Sequence, residues 1–483
     1  MEHLLSGRCG GPESPLPERA RRSAFARRGQ ARVVFLGWRG RRTSSRPIVE
    51  KKNCRQETGL CGSITGTMNM MWRVAVLAVL AGLGLSGVAP GAQASDSVGV
   101  EHGGERASPT IGWTEVNPAA PWGGRAGLQV IDLRGSFYLM GGRTPNPPSF
   151  PPIPGDSKIW SDVWRSADRG RTWKTILPDG APDSWPARAY FGAVKKGGAM
   201  YVLGGQDFSV VPNPCPPFVP ECPPFVSTST FFNDVWSSFD GIRWHEVTSD
   251  AGWEGRAGLS VEVLNGEIYV FAGSFNDDSA VIGGPPTRVY FNDVWKSSDG
   301  RNWNKVTEHA PWAPRAGAAT VVKDGWIYLL GGENGFTCEP LPNCKPPYFN
   351  DVWRTRDGKN WQQMTAAAEW SARPGHKCVV LLDGIVCFGG FGLLANPVDM
   401  WTSRDGAHWK QLPVAPWEAT SSDAIKYDFA AVSVRGLFGL RTQIYTFGGD
   451  RETFDFTDPT NFLRVDDDVW RFGLRWGSPP RGW

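Results

Sequence analysis

Five times along this chain an arginine stands 17 residues ahead of the second glycine of a Gly-Gly or Ala-Gly pair. The pairs are Arg125 and Gly142, Arg188 and Gly205, Arg256 and Gly273, Arg315 and Gly332, and Arg373 and Gly390. A tryptophan precedes each arginine by three residues, at Trp122, Trp185, Trp253, Trp312 and Trp370. A spacing that holds while the intervening sequence changes marks one structural unit copied many times. Such self-similarity belongs to solenoids, propellers and arrays.

Each copy carries further landmarks. After the arginine come an apolar stretch, a turn such as Asn265-Gly266, Asp324-Gly325 or Asp383-Gly384, and a second apolar run ending at the glycine pair. Asn-Gly and Asp-Gly between β-branched or aromatic runs signal hairpins. An Asp-Val-Trp follows at Asp162, Asp234, Asp293, Asp351 and Asp468, with Asp399-Met400-Trp401 as a variant. A last tryptophan closes the unit at Trp173, Trp244, Trp303, Trp361 and Trp409. Four short antiparallel strands per unit make one propeller blade. There are six Asp-x-Trp strands but only five tryptophan strands after them, and the missing copy stands at the front in Gly112-Trp113-Thr114-Glu115-Val116. The sequence therefore predicts an all-β, six-bladed propeller over residues 111–476, followed by a tail at 477–483. The N-terminal segment supplies the outer strand of the last blade, which pairs edges that would otherwise invite aggregation.

The glycine pair after strand two and the spaced aromatics in strands three and four resemble the kelch-repeat family. Within this pattern Ser166-Ala167-Asp168-Arg169-Gly170-Arg171-Thr172-Trp173 resembles the Asp-box turn of sialidase-type propellers. That second resemblance implies a structural role, in which the carboxylate accepts turn N–H bonds and the tryptophan packs between sheets.

The first 94 residues need separate treatment. Arg73, the apolar run Val74–Leu85 and Ala92-Gln93-Ala94 read as a secretory signal peptide over 68–94, cleaved after Ala94. The basic stretch 1–67 reads either as a nucleic-acid arm or as sequence upstream of the true start; a start at Met68, Met70 or Met71 is favoured, since an arm ahead of an export signal has no obvious use. Residues 95–110 form a linker. Of the 51 basic and 48 acidic residues, 15 and 5 lie within 1–94, which leaves a mature net charge of −7. Nucleic acid and anionic membrane surfaces are therefore not expected as partners. The expected form is a monomer, secreted or periplasmic, without membrane insertion after cleavage.

Six of the nine cysteines lie in the mature part, in close pairs: Cys215 with Cys222, Cys338 with Cys344, and Cys378 with Cys387. In an oxidising compartment these read as local disulfides rather than a zinc site, since no CxxC occurs. No metal and no cofactor are expected.

Alternating strand direction places the two–three loops on one face with the links between blades. These loops vary from 8 to 28 residues between the glycine pair and the Asp-x-Trp aspartate, and are rich in proline and aromatics. Variable loops over a rigid scaffold are where binding concentrates. Arg125, Arg188, Arg256, Arg315 and Arg373 fall on this face near the axis. They read either as a positive ligand site or as partners of the Asp-x-Trp carboxylates. The kelch resemblance, to acidic-peptide binders and to a kelch-type sialic acid mutarotase, implies that axial arginines contact a ligand carboxylate. The sixth blade departs from the pattern: the best alignment sets Asp428 at the arginine position, which singles out Lys426, Tyr427 and Asp428.

The expected function is ligand binding, of a glycan, a small acidic ligand or a protein. The alternative is a mutarotase-like sugar epimerase, with Glu333 and Asp428 as candidate acid–base groups beside Arg315 and Arg373. Glycosidase chemistry needs two converging carboxylates, and the loop acids Asp207, Asp277, Glu333, Asp450 and Glu452 offer no sequence evidence of convergence. Copper-oxidase chemistry is rejected because the cysteines pair and the histidines occupy unrelated landmarks.

Overall fold

The computed structural model describes residues 110–147, 156–212, 225–275, 288–335, 347–392, 396–435, 442–453, 458 and 460–475. Six four-stranded antiparallel sheets are arranged as the blades of a propeller. Blade one consists of Gln129–Leu133, Ser136–Met140, Val163–Ser166 and Lys174–Leu177, and blades two to five repeat this order. In blade six, Ala430–Val434, Gln443–Asp450 and Val465–Arg475 are completed by Thr110–Asn117 from the N-terminus. The innermost strands touch in cyclic sequence, including the first blade against the sixth.

The core lies between blades. Strand two of blade one, Ser136–Met140, is buried along its whole length because one side chain in two faces each neighbouring sheet. Within every blade the repeat tryptophan meets the strand-four tryptophan edge-on, as in Trp185 and Trp244 at 6.0 Å and Trp312 and Trp361 at 5.6 Å. The pair that closes the ring is Trp113 with Trp417, at 5.9 Å, although 304 residues of sequence separate them.

Two cyclic sets of contacts explain the 17-residue spacing. The repeat arginine donates to the carbonyl of the first residue of the glycine pair in its own blade, for example Arg188 Nη1 to Gly204 O at 2.9 Å. Its own carbonyl accepts the N–H of the second glycine of the preceding blade: Gly142 to Arg188, Gly205 to Arg256, and round to Gly449 with Arg125 at 2.9 Å. Glycine is required here. Gly142 has φ of 98°, and a Cβ on it would lie 2.8 Å from the Ala126 carbonyl oxygen.

The three–four turns share one construction. Asp240 Oδ1 accepts the N–H groups of Ile242 and Arg243, and Trp244 Nε1 donates to Gly241 O at 3.2 Å. The carboxylates Asp299 and Asp405 are arranged alike, and their N–H bonds hold them far below the ordinary carboxylate range.

On the opposite face, among the described residues, small hairpins rise from the two–three loops of three blades: Arg143–Pro145 with Ser157–Ile159, Gln206–Pro212 with Phe225–Phe231, and Ser274–Phe275 with Val289–Tyr290. Cys378 and Cys387 are directly opposed in blade five and disulfide-bonded. Cys215, Cys222, Cys338 and Cys344 lie outside the described residues. Among the described residues no helix is long and apolar enough to cross a membrane.

Candidate functional site

The five repeat arginines are built into the scaffold. Arg125 meets Asp162, Arg188 meets Asp234, Arg256 meets Asp293, Arg315 meets Asp351 and Arg373 meets Asp399, with Nη1–Oδ1 distances between 2.6 and 2.8 Å. Their side chains are at most 3% exposed. In blades one to four the same aspartate accepts the indole N–H of its own motif tryptophan, as Asp351 does from Trp353 at 2.8 Å. Burial raises Asp293, but the hydrogen bonds and charge of Arg256 outweigh it and hold the carboxylate below its ordinary range. Of the two readings open in the sequence, the geometry matches pairing within the ring.

The sixth blade keeps this arrangement with another cation. Lys426, not Asp428, occupies the arginine position: its Nζ lies 2.7 Å from both oxygens of Asp468 and 2.8 Å from Asp466. Its carbonyl accepts the Gly390 N–H, as each repeat arginine accepts its counterpart. Aligning Asp428 with the arginine misplaced the register by two residues, because the link before Lys426 is longer than in the other blades.

Two residues beyond each repeat cation, the chain forms a closed ring at the axis. Gly127 N–H donates to the Asp428 carbonyl, Tyr190 to Gly127, Gly258 to Tyr190, Gly317 to Gly258, Gly375 to Gly317 and Asp428 to Gly375, all between 2.8 and 3.1 Å. All six have positive φ, from 48° at Asp428 to 66° at Gly375. Four are glycine, which adopts this conformation freely, whereas Tyr190 and Asp428 do so at a cost. The two side chains have room only beside glycines: a Cβ on Gly127 would lie 3.0 Å from the Tyr190 ring, and one on Gly375 would lie 2.9 Å from Asp428 Oδ1.

Above this ring sit the residues that follow each glycine pair: Arg143, Gln206, Ser274, Glu333, Phe391 and Asp450. Each is bonded through its backbone to the residue after the repeat cation, as Arg143 is to Ala126 and Asp450 to Tyr427. Charge concentrates where blades two, one and six meet. Arg143 Nε donates to the Tyr190 hydroxyl at 2.6 Å, and Arg143 Nη2 pairs with the fully buried Asp450. Asp450 also accepts from Tyr427, whose ring packs on Phe391. Burial pushes the Asp428 carboxyl up to about 6, against the charge of Lys377 and with the charge of Asp450. Burial and the Asp450 charge push Glu452 up to about 7. Beneath the ring, Gln129 and Lys377 help to line a cavity of about 60 Å³, room for a few water molecules.

Tyr427 and Asp428 therefore belong to one polar cluster at the loop-face mouth of the axis. Glu333 stands two blades away from Asp428 round the same tier. Asp277 lies outside the described residues. Arg143, Tyr190 and Lys377 were not singled out from the sequence, although Tyr190 stands where four of six blades have glycine, a signal that was legible. Among the described residues no group of three or more His, Cys, Asp or Glu side chains is placed to hold a metal ion.

The chain is similar to a solved structure described as "Structure of YjhT", at 16% identity over 74% of this chain and 96% of that one, with a TM-score of 0.48. No curated protein matches it. The family model for the KLHDC2/KLHL20/DRC7 Kelch-repeats domain matches residues 127–390. That span exceeds half of the sequence and holds the axial ring from Gly127 through the fifth glycine pair, and the chain belongs to this kelch-repeat family.

Proposed function

We propose that this chain is an exported binding module that takes a glycan or a protein on the loop face of its propeller. One observation carries the reading: all five repeat arginines are held by Asp-x-Trp carboxylates in the scaffold. A ring of free guanidiniums would have favoured a small acidic ligand. What faces a ligand instead is specific to single blades, namely Arg143, Tyr190, Tyr427, Asp428 and Glu452 at the axis, with the aromatic hairpins beside them. Phe231 and Phe275 of neighbouring hairpins already touch, at 4.7 Å between ring centroids. Rigid blades with differing loops suit recognition.

Glycan-array screening of the secreted chain tests the carbohydrate form of this reading. Saturable binding to a defined group of glycans is expected, and binding to no sugar would sink it. The epimerase alternative rests on Asp428, a carboxyl that titrates near 6 beside an axial cavity. NMR exchange between sugar anomers decides that alternative, since an unchanged exchange rate rejects it. Export rests on the segment 68–94 and on the bonded Cys378 and Cys387. N-terminal sequencing of material from the culture medium should begin at Ser95.

A further inference from the structure

The sixth blade differs from the others at one more place. In four blades the repeat guanidinium lies over the aromatic residue two positions before the Asp-x-Trp aspartate. The distances are 4.7 Å to Trp160, 4.1 Å to Phe232, 3.9 Å to Phe291 and 4.0 Å to Phe349. Blade five has Pro397 there, and blade six has Asp466. In blade six the guanidinium is also gone, replaced by Lys426, which reaches Asp466 and Asp468 directly. An aromatic–guanidinium stack has thus become a compact ion triad that fills less space.

The link into the blade is longer as well. Two residues separate the tryptophan from the arginine in the other blades, whereas eight separate Trp417 from Lys426. That segment forms a lip over the emptied position. Trp417 and Glu418 both take left-handed backbone angles, with φ of 37° and 60°, a costly conformation for residues with large side chains and one that clusters at functional sites. Between lip and triad lies a half-open cavity of about 160 Å³. Its walls include Trp417, Trp470, Lys426, Arg451, Asp466 and Asp468.

These walls name a ligand class. Two indoles offer apolar surface, the carboxylates of Asp466, Asp468 and Glu418 line the wall, and Arg451 offers donors, while Lys426 is held in the triad. With Glu418, Asp466 and Asp468 against Lys426 and Arg451, the pocket is slightly acidic, which disfavours an anionic ligand. A cavity of roughly 150 Å³ accepts one six-membered ring. We propose that the blade-six pocket binds a single pyranose residue of a neutral glycan. The ring would lie against an indole, with its hydroxyls against Arg451 and Asp466 and the Lys426 triad left intact. The proposal rests on the reading of the chain as a binding module and fixes where on the loop face a sugar is held.

Saturation-transfer NMR on the full secreted chain, with methyl glycosides of neutral hexoses and with N-acetylneuraminic acid as the charged comparison, tests it. At least one neutral glycoside should receive saturation. Arg451→Ala, which removes a donor, and Thr420→Trp, which fills the pocket from its exposed lip, should each weaken binding tenfold or more. Both variants should keep the parent melting temperature, and Ile242→Ser on the opposite face should bind as the parent does. Preference for the charged sugar overturns the proposal. Binding that survives Thr420→Trp and Arg451→Ala but is lost in Asp428→Ala overturns it too and moves the sugar to the axis. If no glycoside binds while the chain still binds a protein, the pocket proposal fails and the binding-module reading stands. If it binds nothing of either kind, both fail.

Discussion

Arg188 and Asp234 form a two-pronged ion pair, Nη1 to Oδ1 at 2.7 Å and Nη2 to Oδ2 at 2.8 Å, with the guanidinium fully buried. The same guanidinium lies on Phe232 and bonds the Gly204 carbonyl. Removing one partner of a buried pair leaves the other charge uncompensated. Arg188→Ala should destabilise the domain by about 3–5 kcal/mol in denaturant titrations. Arg188→Lys should recover only part of that, because an ammonium cannot form the fork. A variant as stable as the parent would contradict the structural role assigned to this arginine.

The axial carboxyls make stability depend on pH in a defined direction. Asp428 titrates at about 6 and Glu452 at about 7 in the folded chain, against roughly 4 for exposed carboxyls. A raised folded pKa means that the native state holds its proton longer than the unfolded one. The stabilisation from these groups is therefore complete below about pH 4 and is lost as pH rises through 6 to 7. Lys426, also raised, acts only above its ordinary range. Asp428→Asn should raise the melting temperature at pH 8, change it little at pH 5, and flatten the slope between them. An unaltered slope would rule out Asp428 as its source.

Two glycines separate strain from crowding. Gly266 has φ of 82° and open space around a Cβ, whereas Gly205 has φ of 91° and a Cβ would lie 2.6 Å from Phe191 Cβ. Gly266→Ala should lose about 1–2 kcal/mol, for backbone strain alone. Gly205→Ala should lose about 3 kcal/mol or more, since packing at the blade interface must also shift. Equal losses, measured by chemical unfolding, would show that the interface yields.

Closure of the ring depends on Trp113, which is fully buried against Phe388, Trp417 and Phe472. Trp113→Ala should lose about 3–5 kcal/mol. It should also promote aggregation, because the strand Val465–Arg475 depends on Thr110–Asn117 to cover its outer edge. Light scattering during thermal unfolding, compared with Arg188→Ala at matched stability, distinguishes edge exposure from general destabilisation.

Blade number, strand order and the crossed closure were legible in the sequence because each is local or periodic. A glycine pair, a turn dipeptide and an Asp-x-Trp announce themselves within a few residues, and six copies reinforce one another. The odd count of tryptophan strands even located the missing strand near Trp113. The site was less legible. Tyr427 and Asp428 were marked as breaks in the pattern, yet the register round them was read two residues out.

Whether the arginines face a ligand or the Asp-x-Trp carboxylates was decided only by the tertiary structure. Arg188 and Asp234 are 46 residues apart, whereas the matching pairs of the other four blades are 26 to 37 residues apart, so no fixed spacing predicts the contact. Arg143, Tyr190 and Asp450 likewise come from three blades and meet only because the ring closes. The repeat alone determined the scaffold, since each blade must bury the same faces against its neighbours. The asymmetry that distinguishes this chain lies in contacts between blades, and those exist only once the circle is complete.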